Sequence, residues 1–170
     1  MRYFLIVTCL FLSSCLTVPD GVKPVDNFTL ERYLGRWYEI ARLDHSFERG
    51  LEAVSADYSV RDDGGIRVIN SGRSIETGEV QEAQGRAYFV EAPTIGHLKV
   101  SFFGPFFGSY VIFELDEKDY QYAFIAGNTT NYLWLLARTP EVSEDLINQF
   151  ITRASQLGFD TNQLIYVQHN

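Results

Sequence analysis

The chain has 170 residues, of which 46% are hydrophobic and 21% are charged, and its formal net charge at pH 7 is −8. This length suffices for one domain with a substantial hydrophobic core. The acidic balance argues against nucleic-acid binding and against electrostatic docking on an anionic membrane, so no nucleic-acid partner is expected.

The N-terminal segment has the composition of a secretory signal. Arg2 precedes an apolar run over 3–12, and two serines follow it. The run is too short to cross about 30 Å of hydrocarbon as a helix. We therefore interpret residues 1–14 as a signal peptide that is removed from the mature protein.

Residues 12–15, Leu-Ser-Ser-Cys, resemble the bacterial lipobox, in which the cysteine becomes the lipid-modified first residue. By this resemblance Cys15 would be acylated. Because Leu16 rather than an aspartate follows it, the anchor would lie in the outer membrane, at its periplasmic face. An ordinary signal peptide with an incidental cysteine is the alternative. The only other cysteine is Cys9, inside the predicted signal, so the mature domain is expected to contain neither a disulfide nor a free thiol.

Residues 15–27 contain two prolines and a glycine and lack an apolar period. This composition is typical of a tether between a lipid anchor and a domain. The folded domain is predicted over 28–170. It is expected to open with one or two helical turns over 28–34, closed by Gly35.

Short β-type runs separated by turn residues follow at fairly regular spacing, a pattern typical of an all-β sandwich or barrel. Residues 61–65, Arg-Asp-Asp-Gly-Gly, predict a tight hairpin turn in which glycine supplies a positive φ. The predicted strands cover 37–44, 53–60, 65–71, 79–90, 96–103, 109–115, 121–127 and 131–138, and the run 164–167 would add a ninth strand at an edge.

Between Ser143 and Leu157 the apolar residues recur at helical rather than alternating spacing. Ser143 suits the N-cap and Gly158 the C-cap of a helix. The sequence therefore predicts one amphipathic α-helix near the C-terminus.

Residues 35–37, Gly-Arg-Trp, resemble the G-x-W motif that opens the first strand of lipocalins. The resemblance extends over 27–167 and is greatest to the bacterial outer-membrane lipoprotein lipocalins. It implies an eight-stranded antiparallel up-and-down β-barrel with one C-terminal amphipathic α-helix. The strand-eight motif departs from the usual Thr-Asp, since Asn131 replaces the aspartate. Further residues at family-like spacing are Asn27, Tyr33, Asn131, Tyr132 and Arg138.

The same resemblance assigns structural roles to Gly35, Trp37 and Arg138. Trp37 would seal the closed end of the barrel, and Arg138 would pack across its indole as a cation–π pair. In an up-and-down barrel the start of strand one and the end of strand eight lie at the same end, which is consistent with this pairing.

Side chains in a barrel alternate between the interior and the exterior, and eight strands leave room for one small ligand. We place Trp37 and Arg138 inside and choose the more apolar phase for the other strands. The run 121–127 is apolar on both faces and stays unassigned. The predicted ligand-lining residues are Ala41, Leu43, Ala56, Tyr58, Val68, Ala87, Phe89, Val100, Phe102, Tyr110, Ile112, Tyr132, Trp134 and Leu136.

This phase also points Glu39 inward, where a carboxylate must be paired or protonated. We expect Arg138 or a tyrosine as its partner. The alternative is that strand twist leaves Glu39 at the rim of the closed end.

The predicted lining mixes alanines with aromatic residues, which would leave an elongated apolar pocket suited to an acyl chain. Tyrosine hydroxyls near the mouth would orient a carboxylate or phosphate head. A solidly packed core without a cavity is the alternative.

The loop 103–108, Phe-Gly-Pro-Phe-Phe-Gly, either folds onto the end of the barrel or forms an apolar rim for lipid entry. The same loop, or the edge of the last strand, would also serve a homodimer.

No nucleophile motif, metal-ligand cluster or phosphate-binding loop accompanies these features, so neither catalysis nor a cofactor is expected. His45, His97 and His169 lie singly along the chain. The predicted function is storage or transport of a hydrophobic ligand in the barrel, most simply a fatty acid or a lysophospholipid. A scavenger of haem or a bilin, with His45 as a ligand, is the alternative.

Overall fold

The computed structural model describes residues 16–169, and the predicted signal peptide and Cys15 lie outside this part of the chain. All neighbouring strands pair antiparallel, and β1 pairs with both β2 and β8. The sheet therefore closes on itself as the predicted eight-stranded barrel. Its strands are β1 Gly35–Arg42, β2 Leu51–Val60, β3 Ile66–Ser74, β4 Val80–Phe89, β5 His97–Ser101, β6 Gly108–Leu115, β7 Tyr122–Ala126 and β8 Leu133–Ala137.

The remaining elements flank the barrel. They are α1 Leu30–Tyr33, α2 Glu144–Gln156, a 3-10 turn at Thr161–Gln163 and the short strand β9 Ile165–Tyr166. The predicted initial helical turn, C-terminal helix and ninth strand are thus confirmed. Within residues 16–169, none of the helices has the length and apolar character needed to cross a membrane.

Because successive strands run up and down, the connections alternate between two ends of the barrel. Helix α1 and the turn at 61–65 lie at one end, called the closed end. The loops 43–50, 102–107 and 127–132 lie at the other, called the open end.

Helix α2 covers the outer face of the barrel. Ser143 caps it, since its Oγ accepts a hydrogen bond from the backbone N–H of Leu146 at 3.3 Å. The Phe150 ring packs edge-on against Phe124, with 5.0 Å between the ring centroids. Both rings are fully buried, so the barrel has a second apolar core outside its interior.

The β1 strand contains a bulge that changes which side chains face inward. Glu39 pairs with Leu136 whereas Ala41 pairs with Leu135, so Ile40 is an extra residue in the ladder. Beyond the extra residue the alternation is inverted, because each position has moved to the opposite face. The expectation that Ala41 and Leu43 face the interior was therefore wrong: both pack in the outer core beneath α2.

The segment 16–27, which the sequence predicts as a tether, lies against the barrel. It runs along the barrel from the open end, where Thr17 Oγ1 donates to the carbonyl of Asn128 at 2.9 Å. Val22 is buried in the outer core. Val25 donates from its N–H to the carbonyl of Ile112 at 2.8 Å. Composition indicates a lack of regular structure, but it does not exclude docking on a neighbouring surface.

Candidate ligand-binding cavity

The interior of the barrel contains a cavity of about 500 Å³. It extends from the open-end loops to the middle of the barrel, and its wall includes side chains from β1 to β6 and from β8. The solid-core alternative is therefore not what the structure shows. Of the predicted lining residues, the wall contains Ala56, Tyr58, Val68, Val100, Phe102, Tyr110, Tyr132, Trp134 and Leu136.

Three predicted lining residues lie below the cavity. Ala87, Phe89 and Ile112 face the interior as expected, but they pack in the inner core at the closed end. Phe28 and Tyr33 pack in the same core, and the Phe28 ring lies 6.0 Å from that of Phe89. The alternation of side chains along these strands predicted correctly that the three residues face the interior. It could not predict how far the residues at the start of the domain fill the closed end.

Trp37 and Arg138 close the base as the family resemblance implies. Trp37 is fully buried, and its Nε1 donates to the carbonyl of Tyr33 at 2.8 Å. The guanidinium carbon of Arg138 lies 4.0 Å from the centre of the Trp37 ring. Arg138 also donates from Nη1 to the carbonyl of Arg36 at 2.8 Å and from Nη2 to that of Arg32 at 2.7 Å. One side chain thus ties α1 to the start of β1. Gly35 joins the two with a φ of 90°, a conformation that glycine adopts without strain.

Tyr58 and Tyr110 form the floor of the cavity, and their hydroxyls belong to a group of three that also includes Tyr33. Tyr110 Oη lies 2.7 Å from Tyr33 Oη and 2.9 Å from Tyr58 Oη. Burial raises the pKa of all three, so they remain neutral phenols. The suggestion that tyrosine hydroxyls orient a head group near the mouth was wrong for Tyr58 and Tyr110, because they lie at the opposite end of the cavity and bond to one another.

A buried polar cluster, the Glu39–Glu48 cluster, lies between β1 and the following loop. Arg42 Nη1 donates to Glu39 Oε1 at 2.8 Å, and Nη2 donates to the carbonyl of Glu48 at 2.9 Å. His45 Nε2 is 2.9 Å from Glu48 Oε2. Trp134 Nε1 donates to the same oxygen at 3.1 Å. The expected partner of Glu39, Arg138 or a tyrosine, was wrong, since the bulge turns Arg42 inward beside it.

The protein shifts the pKa values of the two carboxyl groups in this cluster in opposite directions. Burial, and then the nearby Glu48 carboxylate, raise the pKa of Glu39 well above its ordinary value. Burial alone would raise the pKa of Glu48 as well, but hydrogen bonds from His45 and Trp134 outweigh it and hold the pKa below the ordinary value. Of the two carboxyl groups, Glu48 is therefore the stronger acid.

Aromatic rings surround Glu48 at the open end. The His45 and Phe47 rings stack with 4.0 Å between centroids, and Tyr132 stacks on Trp134 at 6.2 Å. Phe47 and Tyr132 are nearly parallel and 6.3 Å apart. Sequence reasoning missed this arrangement. The only local signal was the concentration of ionisable residues between Arg42 and Glu48 directly after the G-x-W strand.

The loop 102–107 contributes an apolar rim to the mouth. Phe103 and Phe106 border the cavity and are 81% and 78% exposed. The loop therefore forms the apolar rim and does not fold onto the end of the barrel. Two buried hydroxyls, Ser101 and Ser109, face the cavity without a hydrogen-bond partner in the described residues.

His97 and His169 lie apart from His45 and from each other. His97 lies 3.3 Å from Glu91, and His169 lies 2.7 Å from the carbonyl of Glu39. Across residues 16–169, no group of three or more His, Cys, Asp or Glu side chains is arranged to hold a metal ion.

A family model described as a lipocalin-like domain matches residues 28–169. The chain belongs to the lipocalin family. Its G-x-W strand, closed base and open cavity are therefore those of a known group of ligand-binding barrels, and binding of a hydrophobic ligand is the activity that membership indicates.

Several similar proteins carry the name outer membrane lipoprotein Blc. This lipocalin is 60% identical over 165 residues to the Blc of Vibrio cholerae, covering 97% of this chain and 96% of the relative. It is 50% identical to the Blc of Escherichia coli K12, covering 97% of this chain and 90% of the relative. Identity at this level over nearly the whole chain places the lipocalin in the outer membrane as a lipid-anchored protein.

Solved structures of lower identity share the fold. Insecticyanin from the tobacco hornworm Manduca sexta superposes with a TM-score of 0.70 at 22% identity, covering 91% of this chain and 87% of the other. Lobster apocrustacyanin A1 superposes with a TM-score of 0.64 at 16% identity, covering 91% and 94%. The barrel is thus common to proteins whose sequences have diverged widely.

Proposed function

We propose that this lipocalin stores or transports lipids with one acyl chain, fatty acids or lysophospholipids, at the periplasmic face of the outer membrane. The observation that carries the proposal is the cavity of about 500 Å³, open at one end and walled mainly by apolar side chains. This volume lies within the about 300–1,000 Å³ that is usual for small-molecule sites. A narrow barrel interior suits one extended chain better than a branched lipid.

The apolar wall supplies the binding energy. Each buried methylene contributes about 0.8 kcal/mol, so the chain binds without a specific polar contact. Ala56 and Val68 keep the middle of the cavity wide, whereas Phe102 and Trp134 supply large apolar surfaces. Affinity is therefore expected to rise with chain length until the chain reaches the tyrosine floor.

The position of Thr17 beside the cavity mouth supports the idea that the ligand comes from the membrane. Thr17 is bonded to Asn128, a residue that borders the cavity mouth. Two further residues span at most about 7 Å. An acylated Cys15, which remains a prediction, would attach its lipid beside the mouth. Dimerisation through the 103–108 loop or the outer edge of β9 also stays a prediction, which sedimentation of the acylated protein would check.

The experiment is a titration of Trp134 fluorescence with palmitate and with a lysophospholipid. We expect saturable quenching with micromolar or lower dissociation constants, and loss of the response in Trp134→Phe. Ala56→Phe should weaken binding because the ring occupies the cavity, whereas the matched control Ala92→Phe, on an exposed closed-end loop, should not. The absence of saturable binding of any acyl ligand to the wild-type protein would refute the proposal.

The alternative of haem or bilin binding relied on His45. This ring is buried, and its Nε2 is directed at the Glu48 carboxylate at 2.9 Å. His45 is therefore engaged within the protein rather than offered to a ligand. The acyl lipid is the class that the geometry supports.

A further inference from the structure

The floor of the cavity places hydroxyl groups among apolar side chains. Tyr58 and Tyr110 line the cavity, and Tyr33, whose hydroxyl is bonded to that of Tyr110, is buried beside them. Three apolar residues line the cavity as well and pack in the same inner core as Tyr58, namely Ala56, Val68 and Leu136. Their side chains cannot form hydrogen bonds. The three phenols therefore depend on one another.

A count of donors shows that this group of hydroxyls is incomplete. Each neutral phenol has one O–H donor and can accept hydrogen bonds on its oxygen. The contacts of Tyr110 Oη with Tyr33 Oη at 2.7 Å and with Tyr58 Oη at 2.9 Å use two of the three protons. Among residues 16–169, no other group forms a hydrogen bond with these oxygens. One O–H donor of the group therefore has no acceptor within the described protein.

This unused donor determines which chain end suits the floor. A methyl end in contact with Tyr58 and Tyr110 would exclude water and leave the donor buried without a partner, which carries the full desolvation cost of that group. A hydroxyl on the chain removes this cost because it accepts the unused proton. Since it also donates, it fits whichever of the phenols holds that proton. The floor is therefore better matched to a hydroxyl than to a methyl group.

The floor does not suit a charged oxygen. Burial raises the pKa of Tyr58, and the nearby carboxyl groups of Glu48 and Glu39 raise it further, so negative charge is disfavoured at this position. A ligand carboxylate at the floor would meet the same surroundings, because the cavity wall contains no lysine or arginine among the described residues. The group that the floor accepts is therefore a neutral one.

We propose that the floor of the cavity is a recognition site for a hydroxyl group at the far end of the acyl chain, which hydrogen-bonds to Tyr58 and Tyr110. The inference rests on the proposed function and concerns the chain of the ligand rather than its head. Such a chain enters with its hydroxylated end first. The floor then distinguishes acyl chains by their length as well, because the hydroxyl must reach the two phenols.

The test compares saturated fatty acids with their ω-hydroxy counterparts, using decanoic, dodecanoic, pentadecanoic and hexadecanoic acids, each below its critical micelle concentration. Isothermal titration calorimetry with the full mature protein gives the two affinities at each length. In a purely apolar cavity the terminal hydroxyl would weaken binding at every length, because it loses its hydrogen bonds to water. We expect instead that at one chain length the ω-hydroxy acid binds at least threefold more tightly than its parent.

Variants locate the preference. Tyr110→Phe removes the hydroxyl that both contacts share, so it should reverse the preference at that chain length and tighten binding of the parent acid, whose methyl end suits an apolar floor. A role in folding alone would not reverse a ratio of affinities. The matched control is Tyr122→Phe, which removes a phenol oxygen from the outer face of the barrel, beside Gln149, and should keep the preference.

The possible failures are distinguishable. Tighter binding of the parent acid at every chain length would overturn the hydroxyl site and leave the acyl-binding function intact. The absence of saturable binding in both series would overturn the acyl-binding function, and the hydroxyl site with it. If Tyr110→Phe impairs folding, Tyr58→Phe removes one of the two contacts and takes its place. A preference that persists in the folded variant would overturn the assignment to these tyrosines.

Discussion

Replacing Arg138 by methionine should open the base of the barrel, because this side chain connects several elements there. Its guanidinium donates to the carbonyls of Arg36, Arg32 and Tyr120 at 2.8, 2.7 and 3.3 Å and lies 4.0 Å over the Trp37 ring. At a partly exposed site each hydrogen bond contributes about 0.5–1.5 kcal/mol, and the cation–π contact adds about 0.5–2 kcal/mol. Methionine keeps the apolar stem, so the expected loss in the free energy of unfolding is about 3 kcal/mol.

Urea denaturation, followed by circular dichroism, measures this loss. The slope with denaturant should stay unchanged, since the variant alters stability rather than the surface exposed on unfolding. The matched control is Arg36→Met, a neighbouring arginine that forms an exposed ion pair with Asp57 at 2.7 Å and should cost no more than about 1 kcal/mol. If Arg138→Met costs no more than this control, the base is not held by the contacts described.

Other predictions follow from single features of the fold. Burial and the adjacent carboxylate raise the pKa of Glu39 above 4.5, so the folded protein keeps a proton that the unfolded chain releases. The free energy of unfolding should therefore fall as the pH rises from about 4.5 through the raised pKa, by at most about 1.4 kcal/mol per pH unit. Urea denaturation at a series of pH values measures this dependence, and Glu39→Gln should abolish it. Ser143→Ala removes the N-cap of α2 and should cost about 1 kcal/mol in urea denaturation, whereas an equal cost in exposed Ser155→Ala would contradict the capping role. Phe106→Ser should leave the unfolding free energy within about 0.5 kcal/mol but slow ligand uptake in stopped-flow fluorescence, and an unchanged rate would remove the rim from the entry path.

Much of the architecture could be predicted from local patterns. Hairpin turns, the alternation of β2 and β3 and the helical period of α2 depend on neighbours a few residues apart, so a single sequence contains them. The closed base was predicted because residues 35–37 and Arg138 resemble those of a known family. The more apolar phase of β2 and β3 placed Ala56, Tyr58 and Val68 inside, on the wall that the structure shows.

The tertiary structure alone decided the features that depend on distant partners. The extra residue at Ile40 is defined by pairing between β1 and β8, and it moved Ala41 outward and turned Arg42 inward. Glu48 bonds to Trp134 across 86 residues of sequence, so no local period could place that carboxylate at the mouth. The sequence by itself determined an all-β domain whose strands have one apolar face, because alternation is a property of each strand, and the family resemblance predicted that these strands close into a barrel. The depth of the cavity and the charge at its mouth were decided only when strands, loops and the N-terminal segment packed together, because those properties belong to contacts between segments.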